Sequence, residues 1–407
     1  MFPNVTEGDR GTFAPIVEHP VVAALTRRFT QAGFELVAVG GCVRDLLCGK
    51  PAGDIDLATS ATTEEFAPLL GGLGSLWEAG REFGTLGVQF GPGPDDRIEV
   101  TTYRGERYSA DSRAPEVFFT RNLADDLVRR DFTVNAMAVR TDTGELVDLF
   151  GGRQDLEAGL LRTPGDPHVT ISDDPLRAVR AVRFSAVRGW AIDGQLAEAI
   201  RCLVDRLSIV SRERITAEVE KAFTKGGTQA VTRFVETAQH LGLAEVIFGP
   251  LTPKRAVTAQ TASLADAWAS VAVAAGVEPR DVVAAERDLI LGVALARAVA
   301  ARVEVTRRLE FSVPRAELRA LVRAHDPEVI DFAAKHAVHG GLLAEVASEP
   351  GVRDPLPVDG HDAMSVGLKG PTVGAALRRV EAEFCQLGEM SYEQALAILE
   401  DEAKRTS

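Results

Sequence analysis

Two aspartates separated by one residue, Asp54 and Asp56, follow closely on a paired glycine, Gly40-Gly41. Side chains alternate along a strand, so a strand ending in Asp54-Ile55-Asp56 points both carboxylates to one side. Two carboxylates held together repel each other unless a cation lies between them, and hard oxygen ligands suit Mg²⁺. Upstream, the apolar run Phe34 to Val39 reads as a short strand, the glycines remove side chains at the turn after it, and Val43 to Leu47 reads as the opening of a helix. Backbone N–H groups at such a turn can hold a phosphate. A phosphate cradle beside a carboxylate pair, with Arg44 and Asp45 between them, is the arrangement of metal-assisted phosphoryl or nucleotidyl transfer. The plainer alternative is a Gly-rich turn beside an exposed acidic strand end.

Further polar groups lie downstream. Phe83 to Phe90 and Arg97 to Tyr103 alternate like two strands with a Gly-Pro-Gly-Pro turn between them. Glu99 is a candidate third carboxylate if its strand passes beside Asp54 and Asp56, and otherwise a solvent-facing strand residue. Residues 104–120, with Arg104, Glu106, Arg107, Asp111 and Arg113 among Tyr108 and Phe118, read either as a loop that orders over a site when substrate arrives or as a surface excursion. Between 125 and 138, Leu127, Phe132, Val134 and Met137 take packing positions and leave Arg129, Arg130, Asp131 and Asn135 as a compact polar group. Arginine suits phosphate, a carboxylate accepts from sugar hydroxyls, and Asn135 among small apolar residues implies a specific partner. Asp173-Asp174-Pro175 opens a helix, with Pro175 in its first turn and an aspartate near the cap. Asp174 and Arg177 share a face; they either read the edge of a nucleobase or form an intrahelical ion pair. Arg180, Arg183 and Arg188 continue that stretch, and a second helix near Ser211 is placed to buttress the first.

Elements of two kinds must position these residues. Strand alternation fills the chain to about residue 150, Asp148 to Leu156 is a turn-rich joint, and helical patterning follows to the end, which predicts an α+β chain. With 407 residues the chain exceeds one ordinary domain. Its composition, 45% hydrophobic and 26% charged, is that of a soluble globular protein. Four scattered cysteines form neither a disulfide framework nor a zinc knuckle. The first residues lack the apolar core of a signal peptide and no run is long enough to span a bilayer, so a cytoplasmic location without membrane contact is expected. The 45 basic and 59 acidic residues give a formal charge of −14, which counts against a nucleic-acid partner unless the clustered arginines line a basic cleft, whose RNA binding would be strongly salt-dependent. His336 and His339 are spaced to bind a metal on a helix, though surface or partly buried histidines explain them as well. Neither His325-Asp326 nor His361-Asp362 has the histidine and aspartate partners a metal phosphohydrolase needs.

The segments GGCVRDLLCG and DIDLAT (40–59), RRDFTVNAMA (129–138), DLFGGRQDL (148–156), DDPLRAVRAVRF (173–184) and SRERITAEVEK (211–221) resemble the class II tRNA nucleotidyltransferase and bacterial poly(A) polymerase family, most closely its CCA-adding members. The resemblance is strong over about residues 20–225 and diffuse beyond, with a weaker likeness at 356–377. It implies a polymerase-β-like nucleotidyltransferase head with a small mixed sheet (19–150) after an N-terminal extension (1–18). A helical neck that recognises the base (151–225), a helical body lacking an intact HD metal motif (226–350) and a tRNA-binding helical tail (351–407) complete the expected plan. By this likeness Asp54 and Asp56 bind catalytic Mg²⁺ and activate the RNA 3′-hydroxyl, while Gly40, Gly41 and Arg44 hold the incoming triphosphate. Arg130 and Asp131 recognise its phosphates and ribose, Asp174 and Arg177 pair with the base of CTP and then ATP, and Asn135, Arg180 and Arg183 complete the nucleotide-binding set. The loop at 104–120 corresponds to the element that permits the switch to ATP. The implied partner is the tRNA acceptor arm and its 3′ end; oligomeric state is left open. Asp173 stands where the family usually has Glu. A-adding and poly(A)-adding enzymes share these motifs, CC-only enzymes tend to lack the loop, and a non-catalytic RNA-binding protein is the reading from a different class.

Overall fold

The computed structural model describes residues 11–78, 80–93, 96–107, 116–259 and 263–406. The chain divides into two units, one running to Ala222 and including Thr237–Val246, the other made of Phe223–Glu236 and Ile247 onward.

In the first unit α1 (Ala14–Val17) and α2 (Pro20–Gln31) precede the sheet. Pro20 opens α2, and Val22, Leu25 and Phe29 form its buried stripe. There follow β1 (Leu36–Val39), α3 (Gly41–Leu47), β2 (Ile55–Thr59), α4 (Thr63–Leu70), β3 (Ser75–Trp77), β4 (Thr85–Gln89), β5 (Arg97–Thr102), β6 (Arg104–Arg107), β7 (Glu116–Phe119), α5 (Leu123–Val128), β8 (Met137–Arg140) and β9 (Leu146–Asp148). Helix α4 opens with a full capping box, Thr62 with Glu65. Among the described residues a seven-stranded mixed sheet runs β3-β4-β5-β2-β1-β8-β9, with β2 and β5 its parallel pair. One face, carrying Leu36, Ala38, Leu57, Leu86, Val88, Ile98 and Val100, packs on α1 to α4 through Ile16, Leu25, Phe29, Val43, Leu46 and Phe66. On the other face Val37, Val39, Ala58 and Ala138 lie under Leu123 and Leu127 of α5.

Three sequence expectations change here. Asp54-Ile55-Asp56 does not end a strand: β2 begins at Ile55, and its antiparallel pairing with β1 sets Ala38 opposite Leu57, so Asp56 comes level with Val39 at the Gly40-Gly41 turn. The arms of 104–120 are not loop but the antiparallel hairpin β6–β7; residues 108–115, at the centre of the expected switch element, lie outside the described residues. The neck is not wholly helical. After α6 (Gly152–Ala158), β10 (Leu160–Leu161) pairs in parallel with β11 (Ala191–Ile192), across α7 (Pro167–Asp173) and α8 (Leu176–Arg188). Helices α9 (Gly194–Cys202), α10 (Arg212–Lys225) and α11 (Thr228–His240) follow.

The described residues of the second unit beyond Ile247 form helices and no strands. An aromatic cluster of Phe223, Phe234, Phe248 and Trp268 is joined by a buried ion pair, Arg302 to Asp266. Separate apolar cores occupy 305–352 and 358–399. His336 stacks on Phe332 and its Nδ1 bonds the Phe332 carbonyl; the helix carrying it ends at His336, so His339 does not share that helix. No helix among the described residues is long and apolar enough to cross a membrane.

Candidate active site

Asp56 and Glu99 are direct neighbours in the parallel register of β2 and β5, and Asp54 stands just before β2 with Arg97 3.8 Å away. Asp56 reaches solvent but is crowded by protein. That crowding, with the charges of Glu99 and Asp54, pushes its carboxyl up to about 6 against the pull of Arg130 and Arg97. Such a cluster is what a bound cation relieves. Among the described residues no three His, Cys, Asp or Glu side chains form a ready-made cage. The carboxylates of Asp54 and Asp56 are hard oxygen donors, a set that fits an ion completing its shell from substrate phosphates, as Mg²⁺ does.

Gly40, with φ 78° and ψ −129°, holds the turn between β1 and α3 in backbone geometry that only glycine adopts without strain. A Cβ there would also lie 3.3 Å from Nη1 of Arg130, so the guanidinium sits directly over the turn. Arg130 is anchored from behind by Asp126, whose buried carboxylate also takes Arg129. Burial pushes the Asp126 carboxyl up, but the two guanidinium groups outweigh it and hold it below its ordinary value. Cys42, next to the turn, is buried and its thiol is pushed up to about 11, which leaves it inert.

Arg44, Asn135, Asp131 and Arg180 form one hydrogen-bonded chain, which Asp45 and Arg188 close into a ring through α8. Arg44 donates to both oxygens of Asp45 at 3.0 Å and, through Nη1, to Asn135 Oδ1 at 2.5 Å. Asn135 donates to Asp131 at 2.9 Å, and Arg180 donates to Asp131 at 2.7 Å. From the far end of α8, Arg188 returns to Asp45 at 2.8 Å. Phe184 fills the centre, its ring facing the guanidinium groups of Arg183, Arg44 and Arg180 at 4.3, 5.3 and 5.9 Å. Outside the ring, buried Glu218 of α10 takes Arg183, Lys221 and, at 3.6 Å, Arg180. This is the buttress expected of the second helix.

Asp174 and Arg177 are not an ion pair. Asp174 lies just before α8, accepts from the Leu176 N–H and faces Arg214 at 3.2 Å, whereas Arg177 is buried and donates to the carbonyls of Thr170 and Arg129. The structure thus gathers Gly40, Arg44, Arg130, Asp131, Asn135, Arg180 and Arg183 around α3 and α8. Asp126, Phe184 and Glu218 support these residues and had not been singled out; of the three only Glu218, in a helix expected to buttress α8, carried a signal. Asp45 and Arg188 had been noted beside Arg44 and along α8, but not as partners of each other.

Residues 36–162 match the family described as poly A polymerase head domain, and residues 189–254 that described as a probable RNA and SrmB-binding site of polymerase A. The CCA-adding enzyme of Oceanobacillus iheyensis is 44% identical over 192 residues, 47% of this chain and 46% of that one. That of Enterococcus faecalis is 39% identical over 222 residues, 54% and 53%. These matches span about half the length of the curated relatives. Over 95% of this chain, the crystal structure of the Bacillus stearothermophilus CCA-adding enzyme in complex with CTP superposes with a TM-score of 0.72 at 27% identity, covering 98% of that chain. The Thermotoga maritima CCA-adding enzyme complexed with tRNA_CCA shares the fold, with a TM-score of 0.66 and 20% identity over 97% of this chain and 98% of its own. In sequence over about half its length and in fold along most of it, the chain is similar to the class II tRNA nucleotidyltransferase and bacterial poly(A) polymerase family.

Proposed function

We propose that this protein adds C, C and A to the 3′ end of tRNA, using CTP and ATP and releasing pyrophosphate. The observation that carries the reading is the Asp56–Glu99 pair set level with the Gly40 turn beneath Arg130. The names of the matched relatives supply the specificity.

Gly40 and Gly41 let the triphosphate approach the backbone, and Arg130 offsets its charge. Asp54 and Asp56 are the residues that would hold Mg²⁺, which when bound neutralises the transferring phosphate and lowers the barrier to attack. The 3′-oxygen bonds to the α-phosphorus as the bridging oxygen departs with pyrophosphate, and the hydroxyl proton passes to the carboxylate cluster. Asp131, held by Arg180 and Asn135, has the acceptor chemistry for a ribose hydroxyl. Arg44, with Asn135 and Asp45 fixing its guanidinium beside Gly41, steadies the turn that receives the phosphates. Asp174 and Arg177 are assigned the nucleobase edge, Asp174 from its exposed side and Arg177 through N–H groups beyond those given to carbonyls. Single-stranded RNA ends, rather than a deep A-form groove, are what such a site reads.

The test is product length at single-nucleotide resolution on tRNA transcripts ending before CCA, after CC and after CCA, with Mg²⁺ and with CTP and ATP separately and together. Completion of CCA followed by arrest is expected. Addition of A alone to the CC end, a long adenosine ladder, or no product overturns the reading in favour of an A-adding enzyme, a poly(A) polymerase or a non-catalytic RNA-binding protein, respectively.

A further inference from the structure

The carboxylate row extends beyond Glu99. In register, Glu99 of β5 faces Gly87 of β4, and Gly87 faces Trp77 of β3. Residues in such a row share one face of the sheet. Gly87 contributes no side chain, and the indole of Trp77 occupies the space: a Cβ at Gly87 would lie 2.0 Å from Cζ2 and 2.1 Å from Cε2 of the ring. Trp77 thus leans off its own strand, across β4 and toward Glu99, while remaining only partly buried. With strands about 4.8 Å apart, a ring over β4 stands roughly 10 Å from Asp56 on β2, a gap that one nucleotide spans from its 3′-oxygen to its base.

The two flanks of Asp56 differ. Toward β1 lie the Gly40 turn and Arg130; toward β3 lies an aromatic ring. In-line displacement places the entering and leaving oxygens on opposite sides of the phosphorus. If pyrophosphate leaves toward Gly40 and Arg130, the 3′-hydroxyl must arrive from the side of β5, β4 and β3. We infer that the Trp77 indole, given room by Gly87, is the stacking surface for the 3′-terminal nucleotide of the RNA. This rests on the nucleotidyl-transfer reading of the site. An aromatic face tolerates any base, which suits a terminus whose last residue changes with every addition.

The test compares wild type with Trp77→Ala and Trp77→Phe in the full chain, with thermal melting as the folding control. Trp77→Ala should raise KM for an RNA ending in CC by roughly 5- to 100-fold and leave KM for ATP unchanged, while Trp77→Phe, which keeps a ring, should stay within a few-fold of wild type. Without nucleotide, the same RNA should quench wild-type tryptophan fluorescence, and Trp77→Phe should remove that component. An unchanged RNA KM in Trp77→Ala, a rise in ATP KM alone, or equal quenching in Trp77→Phe and wild type overturns the inference. If the wild type incorporates nothing, the transfer reading fails, and the fluorescence arm still decides whether an RNA terminus rests on Trp77.

Discussion

The carboxylates and the glycine facing them can each be changed without touching the core, so their contributions separate. Asp56→Ala removes the one carboxylate flanked by both Glu99 and the Gly40 turn; nucleotide incorporation in the product-length assay should fall by about 10³-fold or more, the several kcal/mol ascribed to metal-supported charge stabilisation, with melting unchanged or raised. Melting rises because crowding and like charge make the ionised Asp56 unfavourable in the folded protein. Gly40→Ala acts differently. It forces a side chain into φ 78° and toward Arg130, so it should cost about 1–3 kcal/mol in denaturant unfolding and also raise KM for CTP. Both residues could be picked out as site candidates from the sequence, because a paired glycine and alternating aspartates lie close together there. The pairing of Asp45 with Arg188 could not: it joins positions 143 apart, and nothing local in either segment announces it.

At the scale of elements, α8 carries Arg180, Phe184 and Arg188, and α10 holds it through Glu218. Burial pushes the carboxyls of Asp131 and Glu218 up, yet the arginines around them, with Asn135 at Asp131 and Lys221 at Glu218, prevail and hold both below their ordinary values. A lowered carboxyl contributes stability that is complete above its unfolded value and is lost as pH falls through the folded one. Unfolding free energy should therefore drop as pH is lowered below about 4.5, and Glu218→Gln should flatten that dependence while costing about 3 kcal/mol at pH 7. The ring makes a second claim. Asp45→Asn and Arg188→Gln should each lower kcat/KM for CTP, and the double variant should be no worse than the more affected single one; additive losses would mean that the residues act apart. Periodicity and turn residues placed β1, β4 and β5, and the cap before α8 placed that helix. Two features could not be read. Alternation does not reveal where pairing starts, so β2 was placed with the wrong end at Asp56. Two-residue strands such as β10 and β11 are too short for any period to register.

Across the whole molecule the clustered arginines left room for a basic cleft in an acidic chain, and most of those in the clusters lie against carboxylates. In the first unit Arg121 pairs with Glu65, Arg129 and Arg130 with Asp126, Arg140 with Glu35, Arg180 with Asp131, Arg183 with Glu218 and Arg188 with Asp45. The second unit repeats the habit, with Arg302 on Asp266, Arg315 and Arg319 on Glu349, Arg323 on Glu381 and Arg379 on Glu402. Clustering in sequence counted the cations and not the carboxylates set against them, Asp126 from the same segment and the others from elsewhere in the chain. A guanidinium already shared with a carboxylate adds little to the long-range field, and the chain as a whole carries −14. On the proposed function, RNA affinity then comes more from stacking and hydrogen bonds at the 3′ end than from released counterions. A cleft of six to ten free cations on RNA phosphates would give log K a slope near −5 or steeper against log salt; here the slope should be no steeper than about −4. Filter binding of a tRNA ending in CC between 50 and 200 mM salt measures it, and a slope beyond −5 would show that cations outside these ion pairs carry the RNA.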